Sequence, residues 1–135
     1  MPSKQFEIGL KSRKEVLGDA YVEKSLAGAD DFNRDFQTMV TEYCWGGTWG
    51  RGVLDKRHRS ILNLGMLAAL NRSHEFKLHF RGAITNGLSL AELREVLIQI
   101  SVYCGIPAGI EAFRCAREVF AVLGIDPSNM DPDNT

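Results

Sequence analysis

HEFKLHFRGAITNGLSLAELREVLIQ, residues 74–99, decides the fold, because it reads as one helix that stops and a second that starts at once. His74 to Asn86 forms the first, and Gly87 supplies the residue that best tolerates a left-handed ending. Ser89 and Glu92 then make a capping box, hydroxyl and carboxylate three residues apart, each satisfying the other's exposed amide. Leu93, Val96, Leu97, Ile100 and Cys104 follow at helical spacing.

The same signals extend outward from this pair, and no period-two run of β-branched or aromatic residues interrupts them, so the chain is expected to be all-α. Lys11 to Leu26 fits a first helix and Asp30 to Cys44 a second, capped by Asp30 or Asp31 and apolar at Phe32, Phe36, Met39 and Val40. WGGTWGRGVL, residues 45–54, holds four glycines in ten positions and is expected to be a loop, with indoles lining something rather than facing water. Asp55 opens a helix to about Ala69, Gly105 ends the helix after the capping box, and Ile110 to Leu123 forms the last one before Gly124. Pro107 suits the first turn of that last helix. The total is about six helices in one domain over residues 1–135, with a core near 5–125 and a polar tail, 126–135, expected to fray.

The 16 basic and 17 acidic residues leave a formal net charge of -1, so no global field favours nucleic acid or an anionic membrane. No apolar run approaches the roughly 20 residues that span a bilayer, and the first residues lack a signal peptide's apolar core; a cytoplasmic location is the expectation. Cys44, Cys104 and Cys115 stand far apart without a CxxC pair, and are expected to be small buried apolar residues, Cys44 being the one with some claim to chemistry.

HEFKLH, residues 74–79, looks like a zinc-binding helix motif with one residue too many. At roughly 100° per residue, a spacing of five turns the second histidine about 140° from the first, so His74 and His79 do not share an ion and no metal is expected. Glu75 and His79, four apart, do share a face, with Arg72 on the same stripe. Glu42 ends a helix, where the dipole opposes a carboxylate, and Arg51 follows the tryptophan–glycine stretch. DKRHRS, residues 55–60, puts a basic run at a helix start and reads as a charged surface or an anion-binding edge.

Taken in order, EYCWGGTWGR, DKRHRSILNLGMLAAL, HEFKLHFRGAITNGLSLAELREVLIQ and YCGIPAGIEAF resemble the carboxymuconolactone decarboxylase family over about residues 5–125. The resemblance implies an all-helical subunit of the alkylhydroperoxidase D-like fold, assembled into a ring-shaped homo-oligomer, usually a hexamer, with sites near subunit contacts. It implies catalytic roles for His79, Glu42 and Glu75, and substrate contacts for Arg51, Trp45 and Trp49. The peroxidase branch of the superfamily carries a CxxC pair on the histidine's helix; Arg72 and Glu75 stand there instead, which removes dithiol chemistry. The implied reaction is cofactor-free decarboxylation of 4-carboxymuconolactone, a small dicarboxylate lactone, to 3-oxoadipate enol-lactone in protocatechuate catabolism. A non-catalytic anion-binding paralogue and a single-thiol peroxidase using Cys44 are the alternatives.

Overall fold

The computed structural model describes residues 2–128 and 130, and every regular element among them is helical. The helices are α1 (Lys4–Leu17), α2 (Asp19–Ala27), α3 (Arg34–Met39), a π-helix (Val40–Trp49), α4 (Lys56–Ala69), α5 (Ser73–Thr85), α6 (Leu90–Cys104) and α7 (Ile106–Leu123). The all-α expectation holds, with seven α-helices and one π-helix among the described residues where about six helices were expected. The fraying expected of the tail falls mostly outside the described residues.

Two compact units divide the chain, Met1–Lys56 and Arg57–Thr135. The first departs most from the sequence reading. The helix expected over 11–26 is two, because Gly18 adopts φ +89°, a conformation that ends α1 and that a side chain would strain. The stretch expected as one helix from Asp30 begins instead as a turn, in which the Asp30 carboxylate accepts the backbone N–H groups of Phe32 and Asn33.

The larger correction concerns the glycine-rich stretch, which is helical through Trp49 in the wide π form. One of its glycines, Gly46, meets Gly9's helix backbone to backbone. A Cβ on Gly9 of α1 would stand 1.8 Å from the Thr41 carbonyl oxygen, and one on Gly46 would stand 2.5 Å from that of Gln5. Bare backbone on both helices is what lets α1 and the π-helix touch, a reason for glycine that outweighs its poor helix propensity. Val16, Trp45 and Trp49 form the small core there, with Leu17, Val40 and Cys44 packed around it. Phe32, Phe36 and Met39, apolar positions of the expected second helix, are 97%, 58% and 55% exposed.

The second unit follows the sequence closely. Ser89 and Glu92 form the capping box, Gly87 takes φ +97° after α5, and Gly124 takes φ +70° after α7. Pro107 lies in the first turn of α7, which starts four residues before the expected Ile110. Phe76, Phe80, Leu93, Leu97, Ile100 and Phe120 are buried together, Phe80 packing edge-on against Phe120 with ring centres 5.4 Å apart. Burial of such a side chain stabilises by about 1.5–3 kcal/mol each. The Asn86 amide donates to the Ser60 hydroxyl of α4 at 2.9 Å, so the residue before the glycine stop ties α5 to its neighbour. No helix among the described residues is long and apolar enough to cross a membrane.

Candidate active site

The π-helix positions three of the proposed residues. At its wide pitch a spacing of four nearly completes a turn, so Trp45 and Trp49 stack, ring centres 5.1 Å apart and planes 25° from parallel. Both indoles are buried. Trp49 also forms a wall of an open groove of about 470 Å³, together with Lys11, Arg51 and Lys56. Lys56 pairs with Glu15 in the same groove, whereas Arg51 and Lys11 are exposed and make no ion pair among the described residues. Two uncommitted cations beside an indole suit an anionic ligand with an apolar body.

Glu42 lines a different groove of the same unit, of about 560 Å³, with Gln5, Asp35 and Tyr43. Its carboxylate accepts the Ser3 hydroxyl. The unit therefore brings Trp49 and Arg51 to one groove and puts Glu42 at another.

His79 and Glu75 belong to the second unit, on α5. His79 is half-buried next to Phe80, while Glu75 is exposed. Burial pulls the His79 pKa below its ordinary value, and the Glu75 charge opposes this without overcoming it. An exposed carboxylate is screened by water, so although Glu75 shares a face with His79, desolvation wins. The histidine is thus neutral near pH 7 and gives up a proton readily once it has one.

Sequence reasoning passed over Lys11 and Arg13. Gly9, Ser12, Arg13 and Val16 are all buried, a helical stripe into which Arg13 falls, and that periodicity was the available signal. The Arg13 guanidinium donates to Gln37 Oε1 at 3.2 Å and Thr41 Oγ1 at 3.4 Å, at the point where α3 becomes the π-helix. Its charge draws the Cys44 thiol pKa down, but burial pushes it up by more, so Cys44 is a protonated thiol at neutral pH and a weak nucleophile. Cys115 is buried as expected, Cys44 is only partly so, and Cys104 is exposed because it sits at the C-terminal end of α6. The basic run after Leu54 is engaged in ion pairs, Lys56 with Glu15 and Arg57 with Glu92. No three His, Cys, Asp or Glu side chains gather as a ligand set among the described residues.

An all-helical chain that offers two cations in a groove beside an indole and a half-buried histidine of lowered pKa has the parts of an acid–base enzyme acting on an organic anion. Residues 34–118 match the model of the carboxymuconolactone decarboxylase family. The chain belongs to that family, and it is an enzyme of the decarboxylase class. It is 39% identical to a 4-carboxymuconolactone decarboxylase of Acinetobacter baylyi over 129 residues, 96% of each chain. It is 46% identical to a nitrosuccinic acid decarboxylase of Metarhizium robertsii over 107 residues, 79% of this chain and 75% of the relative. A 4-carboxymuconolactone decarboxylase of Pseudomonas putida matches at 43% over 47 residues, 34% of this chain and 98% of that sequence.

Proposed function

We propose that the chain converts 4-carboxymuconolactone to 3-oxoadipate enol-lactone and carbon dioxide without a cofactor, in the cytoplasm, as a step in protocatechuate catabolism. The observation that carries this reading is the end-to-end match, 96% of both chains, to an enzyme named for that substrate.

The substrate is its own electron sink. When the bond from the ring carbon to its carboxylate breaks, the electron pair passes through the adjoining double bond to the lactone oxygen, giving a dienolate. Protonation of the carbon beside the lactone carbonyl then restores the carbonyl and leaves the enol-lactone. The protein has to hold a dianion, stabilise the developing oxyanion and deliver one proton. Arg51 anchors the carboxylate that stays, by bidentate pairing, and its lack of an ion-pair partner among the described residues supports that role. Trp49, with Trp45 stacked behind it, keeps water from the departing carboxylate.

His79 delivers the proton. Burial keeps the free imidazole neutral, and a bound dianion favours its protonated form, so the substrate loads the acid that it consumes. Glu75, one turn back on α5, stabilises the imidazolium, and Glu42 is the alternative proton donor. The subunits form a ring, most simply a hexamer. The exposed apolar residues Phe32, Phe36, Met39 and Tyr43 support a covered face in the assembly.

A second substrate, nitrosuccinate, is supported by the 46% identity to the enzyme named for it. A nitro group can also accept the electron pair, so one mechanism serves both. The purified protein, supplied with each acid, is tested by released carbon dioxide. Turnover of the muconolactone with higher kcat/KM supports the proposal, preference for nitrosuccinate reassigns the substrate, and release from neither leaves an anion-binding paralogue.

A further inference from the structure

In the second unit, a cavity of about 190 Å³ opens between α6 and α7 and reaches the core. Its floor includes Phe80, Leu93 and Phe120, all buried, and its rim carries Arg94 and Arg117, with Pro127 forming part of the wall after α7. Among the described residues, the charges at the rim are unbalanced. The carboxylates of α7 are already engaged, Glu111 with Arg114 and Ser73, Glu118 with Lys77 and Arg114. Arg117 makes no ion pair among the described residues, and Arg94 has only the exposed Glu95 at 3.3 Å, a contact of little worth in water.

We propose that this cavity binds a small aromatic monocarboxylate, its ring against Phe80, Leu93 and Phe120 and its carboxylate between Arg94 and Arg117. The volume lies below the roughly 300–1,000 Å³ usual for larger ligands, which selects a single ring over a fatty chain or a nucleotide. An added ring extends the edge-to-face aromatic packing already present between Phe80 and Phe120. Two guanidinium groups, with no buried carboxylate against them among the described residues, supply the complementary charge. The cavity uses none of the residues assigned to decarboxylation.

Benzoate is the probe, with benzamide as its uncharged isostere and acetate as the charge without the ring. Calorimetry with methyl chemical shifts of Leu93 and Leu97 should show saturable benzoate binding at millimolar concentration or below, and about tenfold weaker binding of either control. Arg117→Glu, a surface change that leaves the core intact, should weaken benzoate about tenfold or more, and Ala116→Leu should do the same by filling the cavity. Arg51→Ala should retain the binding, which separates this site from the decarboxylation groove. The proposal is overturned by absence of saturable binding, by binding that Arg117→Glu leaves unchanged, or by an Arg117→Glu protein of altered oligomeric size, which would make this face a contact between subunits.

Discussion

The two units hold together by opposite means. Where α1 meets the π-helix, the contact is backbone against backbone, with Gly9 and Gly46 leaving no room for a methyl group. Across α5, α6 and α7 the contact is side chain against side chain, with Phe76, Phe80, Leu97 and Phe120 filling the space. The first kind of interface cannot accept added volume, and the second cannot accept its loss.

The most damaging single change should therefore be the smallest one. Gly9→Ala places a carbon 1.8 Å from a carbonyl oxygen that no rotamer can move, so the helices must part. The cost should exceed the roughly 1–3 kcal/mol of ordinary overpacking, read as a fall in the urea midpoint, while Gly52→Ala, with open space around it, stays near wild type. An unchanged midpoint for Gly9→Ala would contradict the close approach. Phe80→Ala should follow, at about 3–5 kcal/mol, since the side chain is fully buried against Phe76 and Phe120. If Phe80→Ala cost less than 1 kcal/mol by the same measurement, the contrast between the units would fail. Ser89→Ala removes half of the capping box and should cost about 1 kcal/mol, with little effect on turnover.

The same contrast explains what could be read in advance. The capping box, Gly87, Gly105 and Gly124 are local signals whose meaning is complete within a few residues, and each ends or starts a helix as expected. Gly46, Gly47 and Gly50 were read as helix breakers because their partners, Gln5 and Ile8, lie about forty residues away in sequence. Phe32, Phe36 and Met39 show the limit of periodicity, which says that a face is apolar without saying what covers it. In the candidate site, the pairing of Glu75 with His79 on one face of α5 was legible from spacing, and so was the nearness of Arg51 to Trp49. The direction of the His79 shift was not, because burial is a property of the packed unit and outweighs the neighbouring charge. Lys11 escaped notice because nothing in its own segment links it to the groove of Arg51.

Folding holds His79 below its ordinary pKa of 6.5, so the folded state resists its protonation. Its contribution to stability is present above pH 6.5 and is lost as the pH falls through the lowered value, and a urea series across that window should show the decline in the wild type and less of it in His79→Gln. Arg51→Ala should raise KM while leaving kcat nearly unchanged, as expected of an anchor used equally in ground and transition states.

The most direct test of the central claim, proton delivery by His79, is the pH profile of decarboxylation for the wild type and His79→Gln. In the wild type, kcat/KM should fall as the pH rises through the lowered pKa of free His79, below 6.5, and the corresponding fall in kcat should come at higher pH, because the bound dianion stabilises the imidazolium. His79→Gln should lose roughly 10²–10⁴ in kcat and lack both limbs. A folded His79→Gln protein of wild-type size, with wild-type kcat and the same two limbs, would contradict the account and move proton delivery to Glu42.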